Sequence, residues 1–217
     1  MISISCSILE QVRKNHAAFV ESLSMGDKIQ RGGTHGMFAY WQDVAKQLHI
    51  GELDVNEGVK ELQSHFHRFE DTKRNQSKQA KLLNHFVRYA RAYKNEKFSP
   101  FESRRRVVWN IIPQIRLTGL TPWIFKKGEL YYAYFCTEKD TEWQSELKFP
   151  LLQKYMSDHI IKCDLSALSI GVYCLDTGRF QFKNYSTSEV RRALNETKHM
   201  FEYVNSEYMK RTELASK

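Results

Sequence analysis

The chain has 217 residues, and its 33 Lys and Arg residues outnumber its 25 Asp and Glu residues, which gives a formal charge of +8 at neutral pH. Hydrophobic residues make up 41% of the chain and only four residues are proline, so disordered, collagen-like and low-complexity classes are excluded. No apolar run approaches the roughly 20 residues that span a bilayer, so we expect no integral membrane protein and no membrane partner.

The N-terminus and the cysteines predict a cytoplasmic protein. Residues 1–6 contain no basic stretch followed by a continuous apolar stretch, so no signal peptide is predicted. The four cysteines form no Cys-x-x-Cys pair, and disulfides are rare in the cytosol, so we expect reduced thiols. The length favours a single domain over 1–217, with a helical portion over 1–97 and a sheet core with flanking helices over 98–217.

The first portion of the chain has helical periodicity. Apolar residues three or four apart predict helices over 7–22, 36–48 and 55–70, and Asp54 or Asn56 is expected to cap the third. We expect this portion to be helical throughout and to contribute no strand.

Residues 76–94 give the clearest amphipathic helix. At about 100° per residue, Leu82, Leu83, Phe86, Val87, Ala90 and Tyr93 fall on one side. The other side carries Lys78, Lys81, His85, Arg88 and Arg91. The helix is therefore predicted to pack on its apolar side and to show a basic face.

After Ser99-Pro100 the pattern changes to strands joined by turns. Strands are predicted over 107–112, 114–118, 122–126, 129–136, 167–175 and 179–185. Lys127-Gly128 and Asp176-Thr177-Gly178 predict hairpin turns. Helices are predicted over 143–158 and 188–209, the second capped by Thr187 or Ser188. The fold class is therefore α/β, with one mixed sheet, flanking helices and a helical N-terminal half.

Positive charge is concentrated between Lys73 and Arg106. Eleven Lys and Arg residues face only Glu96 and Glu102 there, so this stretch carries +9 and the rest of the chain carries −1. Clustered cations favour a nucleic acid because they release its condensed counterions, although a solvated helix face explains the same run. The candidate nucleic-acid-binding residues are Lys78, Lys81, Arg88, Arg91, Arg104, Arg105, Arg106, Lys126 and Lys127.

Aromatic residues are interleaved with these cations. They are Tyr89, Tyr93, Phe98, Phe101, Trp109 and Trp123. Proteins that bind single strands combine a cationic groove with aromatic platforms in this way. Most of these rings are expected in the core, and only Phe98 and Phe101 fall in a loop-like context.

Several segments follow one another in a recognisable order. Ser3-Ile4-Ser5 leads into a helix, and Gly32, Gly33 and His35 form a turn before the next helix. A long helical insertion, a strand ending near Gly119, a second strand and an amphipathic helix follow. This order resembles the RecB-type branch of the PD-(D/E)xK nuclease superfamily. The resemblance implies a restriction-endonuclease-like mixed sheet, and a site where two carboxylates hold Mg²⁺ and a lysine orients the attacking water.

The matching positions lack the metal-binding residues of that family. The chain has Leu120-Thr121-Pro122 where the family has its aspartate, and Tyr134 and Cys136 where it has Glu-x-Lys. Tyrosine is a poor ligand for a hard cation near neutral pH, and cysteine is a soft ligand. We therefore expect a degenerate nuclease without catalytic residues, metal or cofactor.

An alternative keeps a Mg²⁺-dependent nuclease active through displaced ligands. Glu138 and Asp140 stand just beyond the second strand, and Glu146 and Lys148 form a literal Glu-x-Lys. The latter two fall in a predicted helix, where residues two apart point about 200° away from each other, so a surface ion pair is favoured. His35 resembles an extra metal-binding histidine of RecB-type domains, and a plain helix-entry loop also explains it.

Three functions stay open at this point. The first is a degenerate nuclease-fold protein that binds nucleic acid, a partner protein or both, and the resemblance implies a place in bacterial antiviral defence, mobile elements or repair. The second is an active Mg²⁺-dependent nuclease with relocated ligands. The third is a protein-interaction scaffold whose basic helix meets an acidic partner.

Overall fold

A computed structural model describes residues 1–24 and 36–215, which form a mixed α/β structure. The helices are α1 (Leu9–Lys14), α2 (His16–Ser24), α3 (Met37–His49), α4 (Val55–Phe66), α5 (Lys73–Glu96), α6 (Lys148–Met156) and α7 (Thr187–Ala215). The strands are β1 (Ile2–Ser5), β2 (Ser99–Glu102), β3 (Arg106–Ile112), β4 (Ile115–Leu120), β5 (Trp123–Lys127), β6 (Leu130–Thr137), β7 (Leu168–Cys174) and β8 (Arg179–Lys183). Among these helices, none is long and apolar enough to cross a membrane.

The strands form two sheets, whereas a single sheet was predicted. A three-stranded sheet has the order β1-β4-β3, and a five-stranded sheet has the order β2-β5-β6-β7-β8. Leu120-Thr121-Pro122 leads from β4 in the first sheet to β5 in the second. In the larger sheet β6 and β7 are parallel and α6 lies in the connection between them, while the other neighbours are antiparallel. The mixed character of the predicted sheet is thus confirmed.

Both faces of the five-stranded sheet are buried. Successive side chains along a strand point to opposite faces, so Trp123 and Phe125 pack toward α3, α4 and α5. Ile124 points the other way, into a core shared with α1, α2, α6, α7 and the smaller sheet. Two hydrophobic cores therefore lie on either side of one sheet, and α5 and α7 cover opposite faces.

The prediction that the N-terminal portion contributes no strand is wrong. Ile2–Ser5 forms β1, which pairs in parallel with β4 in the register Ile4 to Leu117. Ile4 is fully buried, while Ser3 and Ser5 point away from the core. A strand of four residues gives little periodicity, and its pairing depends on a partner more than 100 residues later.

Two predicted helices are interrupted. The segment 7–22 contains α1 and α2, because Asn15 leaves helical geometry and its Oδ1 accepts a hydrogen bond from Ala18 N at 3.0 Å. The segment 143–158 begins as a 3-10 turn at Trp143–Ser145, and Glu146 is extended before α6 begins. In both places a polar or extended residue breaks an otherwise apolar helical pattern.

The turn and cap predictions have mixed outcomes. Both hairpins are confirmed, with Gly128 at φ +60° and Gly178 at φ +69°, where a side chain would be strained. Asp54 caps α4 with a full capping box. The cap of α7 is Ser186, not Thr187 or Ser188, since Ser186 Oγ and the Glu189 carboxylate each accept a hydrogen bond from the other residue's backbone N–H.

Gly171 in β7 provides a test of the sheet packing. A Cβ there would overlap the carbonyl oxygen of Gln181 in β8. We expect Gly171→Ala to lower the free energy of unfolding by about 1–3 kcal/mol, measured by urea denaturation, because the obstacle is backbone. Gly36→Ala is the control, since no described residue lies within 4 Å of a Cβ at Gly36. Equal stability of the two variants would contradict the register of β7 and β8.

Candidate nucleic-acid interface

Helix α5 carries the basic stretch and is fixed at both ends. Thr72 Oγ1 accepts a hydrogen bond from Asn75 N at 3.2 Å, and Lys97 ends the helix in the left-handed region at φ 56°. Its buried side chains are Leu82, His85, Phe86, Tyr89 and Ala90. Its exposed cations are Lys73, Arg74, Lys78, Lys81, Arg88, Arg91 and Lys94. The helix therefore packs on the sheet by one side and shows cations on the other, as predicted.

Two carboxylates partly balance this charge. Asp176 Oδ1, just after β7, lies 2.8 Å from Lys81 Nζ, and Glu138 Oε1, just after β6, lies 3.9 Å from Lys78 Nζ. The hydrogen bond from Lys81 lowers the pKa of Asp176, and the same bond raises the pKa of Lys81. Because β6 and β7 are parallel, both carboxylates stand at the same edge of the sheet.

Arg88 holds the β7–β8 hairpin. Its Nη2 donates to the carbonyl oxygens of Leu175 and Asp176, the latter at 3.2 Å, and to His85 Nδ1 at 2.7 Å. A Cβ on Gly178 would lie only 2.7 Å from Arg88 Cδ, so the turn and the arginine are closely packed. These contacts give Arg88 an intramolecular structural role that the sequence did not indicate.

His85 and Val87 do not lie where the helical pattern placed them. His85 was predicted on the basic face but is buried, and Val87 was predicted on the apolar side but is 39% exposed. Burial, together with the charges of Arg88 and Lys81, lowers the pKa of His85. The buried side of α5 is thus rotated toward His85 relative to the prediction.

The remaining predicted cations form separate groups. Arg105 pairs with Glu102 at 2.6 Å near the start of β3, next to the exposed Arg106. Lys127 pairs with Glu96 at 3.0 Å at the C-terminal end of α5, beside Lys126. Glu96 lies 18 residues from Lys78, about 27 Å along the helix at 1.5 Å per residue. The structure therefore does not bring all nine candidates into one patch.

The aromatic residues are mostly core residues, as predicted. Tyr89, Tyr93 and Trp123 pack between α5, α3 and β5. Phe98 was expected in a loop but is only 8% exposed and packs edge-on against Phe180 at 5.5 Å. Phe101 is 43% exposed, so it is the member of the set that solvent reaches most easily. A stack of exposed aromatic platforms is not present in the described part of the chain.

The positions that match the Glu-x-Lys of the nuclease family are buried. Tyr134 is fully buried, stacks on Phe125 at 5.0 Å, and its hydroxyl is hydrogen-bonded to the Tyr89 hydroxyl at 2.7 Å. The Tyr89 hydroxyl is in turn hydrogen-bonded to His49 Nε2. Burial lowers the pKa of His49 to about 3 and raises the pKa of the Cys136 thiol. Three neutral polar groups therefore satisfy one another inside an aromatic core.

Arg104 lies beside this core and lines a cleft. Its guanidinium carbon lies 5.0 Å from the centre of the Trp123 ring, and its buried Nε has no hydrogen-bond partner among the described residues. Burial lowers the pKa of Arg104. The cleft has a volume of about 170 Å³, and its lining residues are Gln42, Asp43, Lys46, Ser103, Arg104 and Trp123.

The displaced-ligand candidates are spread over several partners. Glu138 faces Lys78, and Asp140 Oδ1 accepts a hydrogen bond from Gln181 Nε2 at 3.4 Å. Glu146 and Lys148 form the predicted ion pair at 2.7 Å, but Glu146 lies outside the helix in which it was predicted. Within residues 1–24 and 36–215, no three His, Cys, Asp or Glu side chains are grouped so that they could share a metal ion. The displaced-ligand candidates are therefore not arranged as a Mg²⁺ site. The remaining metal candidate, His35, lies outside the described residues.

The sequence gives no local signal for several residues of these sites. Lys46 and His49 lie on α3 in an ordinary amphipathic pattern. The sequence predicts Asp176 only as a residue of the β7–β8 turn. Their roles depend on side chains of α5 and β5 that are far away in the chain. The predicted burial of Cys136 and Cys174 is confirmed, and all four cysteines are free.

Comparison with protein-family models and with curated proteins finds no match to this chain. The functional argument therefore depends on the chain's own residues.

The buried His49 predicts a pH dependence of stability. Its pKa of about 3 in the folded state lies below the ordinary 6.5, so only the unfolded chain binds this proton between those pH values. We expect stability to fall with pH from 6.5 toward 3, by up to about 1.4 kcal/mol per pH unit from this group. Urea denaturation of His49→Gln should show a shallower dependence than the wild type. The exposed His199→Gln is the control, and an unchanged slope in His49→Gln would contradict this role.

Proposed function

We propose that this protein binds nucleic acid through the basic face of α5 and does not cleave it. The single observation that carries the proposal is the charge of this helix, which has seven cations and only one carboxylate, Glu96, over 24 residues. All seven cations are exposed, so they can reach a phosphate backbone without unfolding the helix. Opposite charges at positions i and i+4 stabilise an exposed helix, whereas like charges at these positions destabilise it. Helix stability alone therefore does not explain a face with charges of one sign.

The fold supports a degenerate nuclease as the scaffold. A mixed sheet with helices on both faces, and a helix between the parallel strands β6 and β7, agrees with the restriction-endonuclease-like fold that the sequence resemblance implies. At the positions matching Glu-x-Lys, Tyr134 and Cys136 are buried among aromatic rings. On the same resemblance we place the protein in bacterial defence, mobile elements or repair.

Ion pairs and hydrogen bonds within the protein determine which cations of α5 are free to contact phosphates. Lys81 and Arg88 are held by Asp176 and the β7–β8 hairpin, and Lys78 faces Glu138. Four exposed cations of α5 make no ion pair with any residue in the described part of the chain, and they are Lys73, Arg74, Arg91 and Lys94. These four form the primary contact set of the proposal.

A quadruple variant tests the proposal. Replacing Lys73, Arg74, Arg91 and Lys94 with Gln should weaken binding to DNA or RNA with little dependence on base sequence. Each lost phosphate contact should reduce the slope of log K against log salt by about 0.7–0.9. Fluorescence anisotropy with labelled single-stranded and double-stranded oligonucleotides, at several salt concentrations and with chelator, measures both quantities.

Helix α7 offers a control with the same change in net charge. Its exposed cations Arg191, Arg192, Lys198 and Arg211 lie on the opposite side of the five-stranded sheet. Their replacement with Gln should leave most of the salt slope intact. A wild type with no salt-sensitive affinity, or equal losses in the two variants, would contradict the α5 interface and favour an acidic protein partner.

A further inference from the structure

The side chain of Arg104 is charged and half-buried, and it has no hydrogen-bond or ion-pair partner in the described part of the chain. The Nε of Arg104 is shielded from solvent. A buried donor without a partner destabilises the fold by about 1–3 kcal/mol, and more when the group is charged. Contact with the Trp123 ring offsets part of this cost. Such an arrangement is typical of a side chain whose hydrogen-bond donors are satisfied by a ligand.

The surroundings of Arg104 supply further donors. The cleft brings the exposed Lys46 of α3 and the hydroxyl of Ser103 to the same opening, together with the amide of Gln42. Lys46 has no ion pair within the described residues. Asp43 also lines the cleft, so the net formal charge of the described lining residues is +1. The cleft is cationic even though an acidic residue belongs to it.

We propose that this cleft binds a single phosphate group, which Arg104 and Lys46 hold from its two sides. The inference rests on the proposed function, because the phosphate would belong to a nucleic-acid backbone. A guanidinium stacked on an indole keeps its N–H groups in its own plane, in the fork that pairs with phosphate oxygens. The oxygens of a tetrahedral phosphate point in several directions, so one group can meet the sheet side and the helix side together.

The size and the walls of the cleft limit the ligand. Its volume of about 170 Å³ lies below the roughly 300–1,000 Å³ of pockets that enclose a whole drug-sized ligand, so it suits a phosphate group better than a whole nucleotide. Trp123 is only 4% exposed and already lies under Arg104, which leaves no aromatic face for base stacking. The cleft is therefore expected to contact the sugar-phosphate backbone of a nucleic acid, independently of its base sequence.

Arginine side-chain NMR tests the site on the wild-type protein. The Nε–Hε signal of Arg104, assigned by its loss in Arg104→Lys, should shift saturably when inorganic phosphate is added. Sodium acetate and sodium chloride at matched ionic strength should give a much smaller shift. Lys46→Gln, an exposed change, should weaken phosphate binding several-fold. No saturable shift with phosphate, or an equal shift with acetate, would overturn the site whatever the protein does with nucleic acid.

Oligonucleotide affinity identifies the source of the phosphate. Arg104→Gln should weaken binding of single-stranded or double-stranded oligonucleotides about tenfold or more, as expected for a charged hydrogen bond. Arg191→Gln is the control, because Arg191 is exposed and lies on α7, on the opposite side of the five-stranded sheet. If phosphate shifts the Arg104 signal but the wild type binds no oligonucleotide, the nucleic-acid source is overturned and a free phosphate ligand takes its place. If oligonucleotides bind Arg104→Gln as tightly as the wild type, the cleft is not a contact site for the nucleic-acid backbone. The α5 interface is then not contradicted.

Discussion

The hydrogen bond between the hydroxyls of Tyr89 and Tyr134 joins α5 to the centre of the five-stranded sheet. Both rings are fully buried, so each hydroxyl must find its partner inside the protein. A second hydrogen bond, from the Tyr89 hydroxyl to His49 Nε2, extends the network to the end of α3, so two hydrogen bonds join two helices and one strand. Together with the buried Leu82, Phe86 and Ala90, this network fixes the rotation of α5 about its axis, and the rotation decides which cations face solvent.

The same burial sets Tyr134 and Cys136 apart from the metal ligands that the resemblance to PD-(D/E)xK nucleases implies at their positions. Metal ions such as Mg²⁺ need oxygen ligands and usually keep several waters, whereas Tyr134 and Cys136 are buried in a core rich in aromatic rings. The positive charge that a metal would bring is supplied next to this core by a protein side chain, Arg104. Under the proposed function, a phosphate at this place would contact guanidinium and ammonium groups of the protein itself.

Local patterns in the sequence were sufficient to predict α5, α7 and both hairpins. Their signals are strong because long amphipathic periods and turns with glycine at positive φ need no distant partner. The strand β1 and the second sheet could not be predicted, because four residues acquire strand structure only through pairing with β4. The balance of charge was missed for the same reason, since Glu138 and Asp176 meet Lys78 and Lys81 only after the sheet has formed. His85 was misplaced because it lies at the border of the helix's apolar side, where packing against the hairpin decides burial.

The central claim is that this protein retains nucleic acid without a metal ion and does not cut it. The most direct measurement incubates the pure protein with end-labelled single-stranded and double-stranded DNA and RNA, in Mg²⁺, in Mn²⁺ and in chelator. Retention and chain length are then scored on the same samples. We expect salt-sensitive retention that chelator does not reduce, with every substrate at full length. Cleavage that requires Mg²⁺ or Mn²⁺ and scales with protein across purification steps would contradict the claim, as would the absence of retention in all conditions.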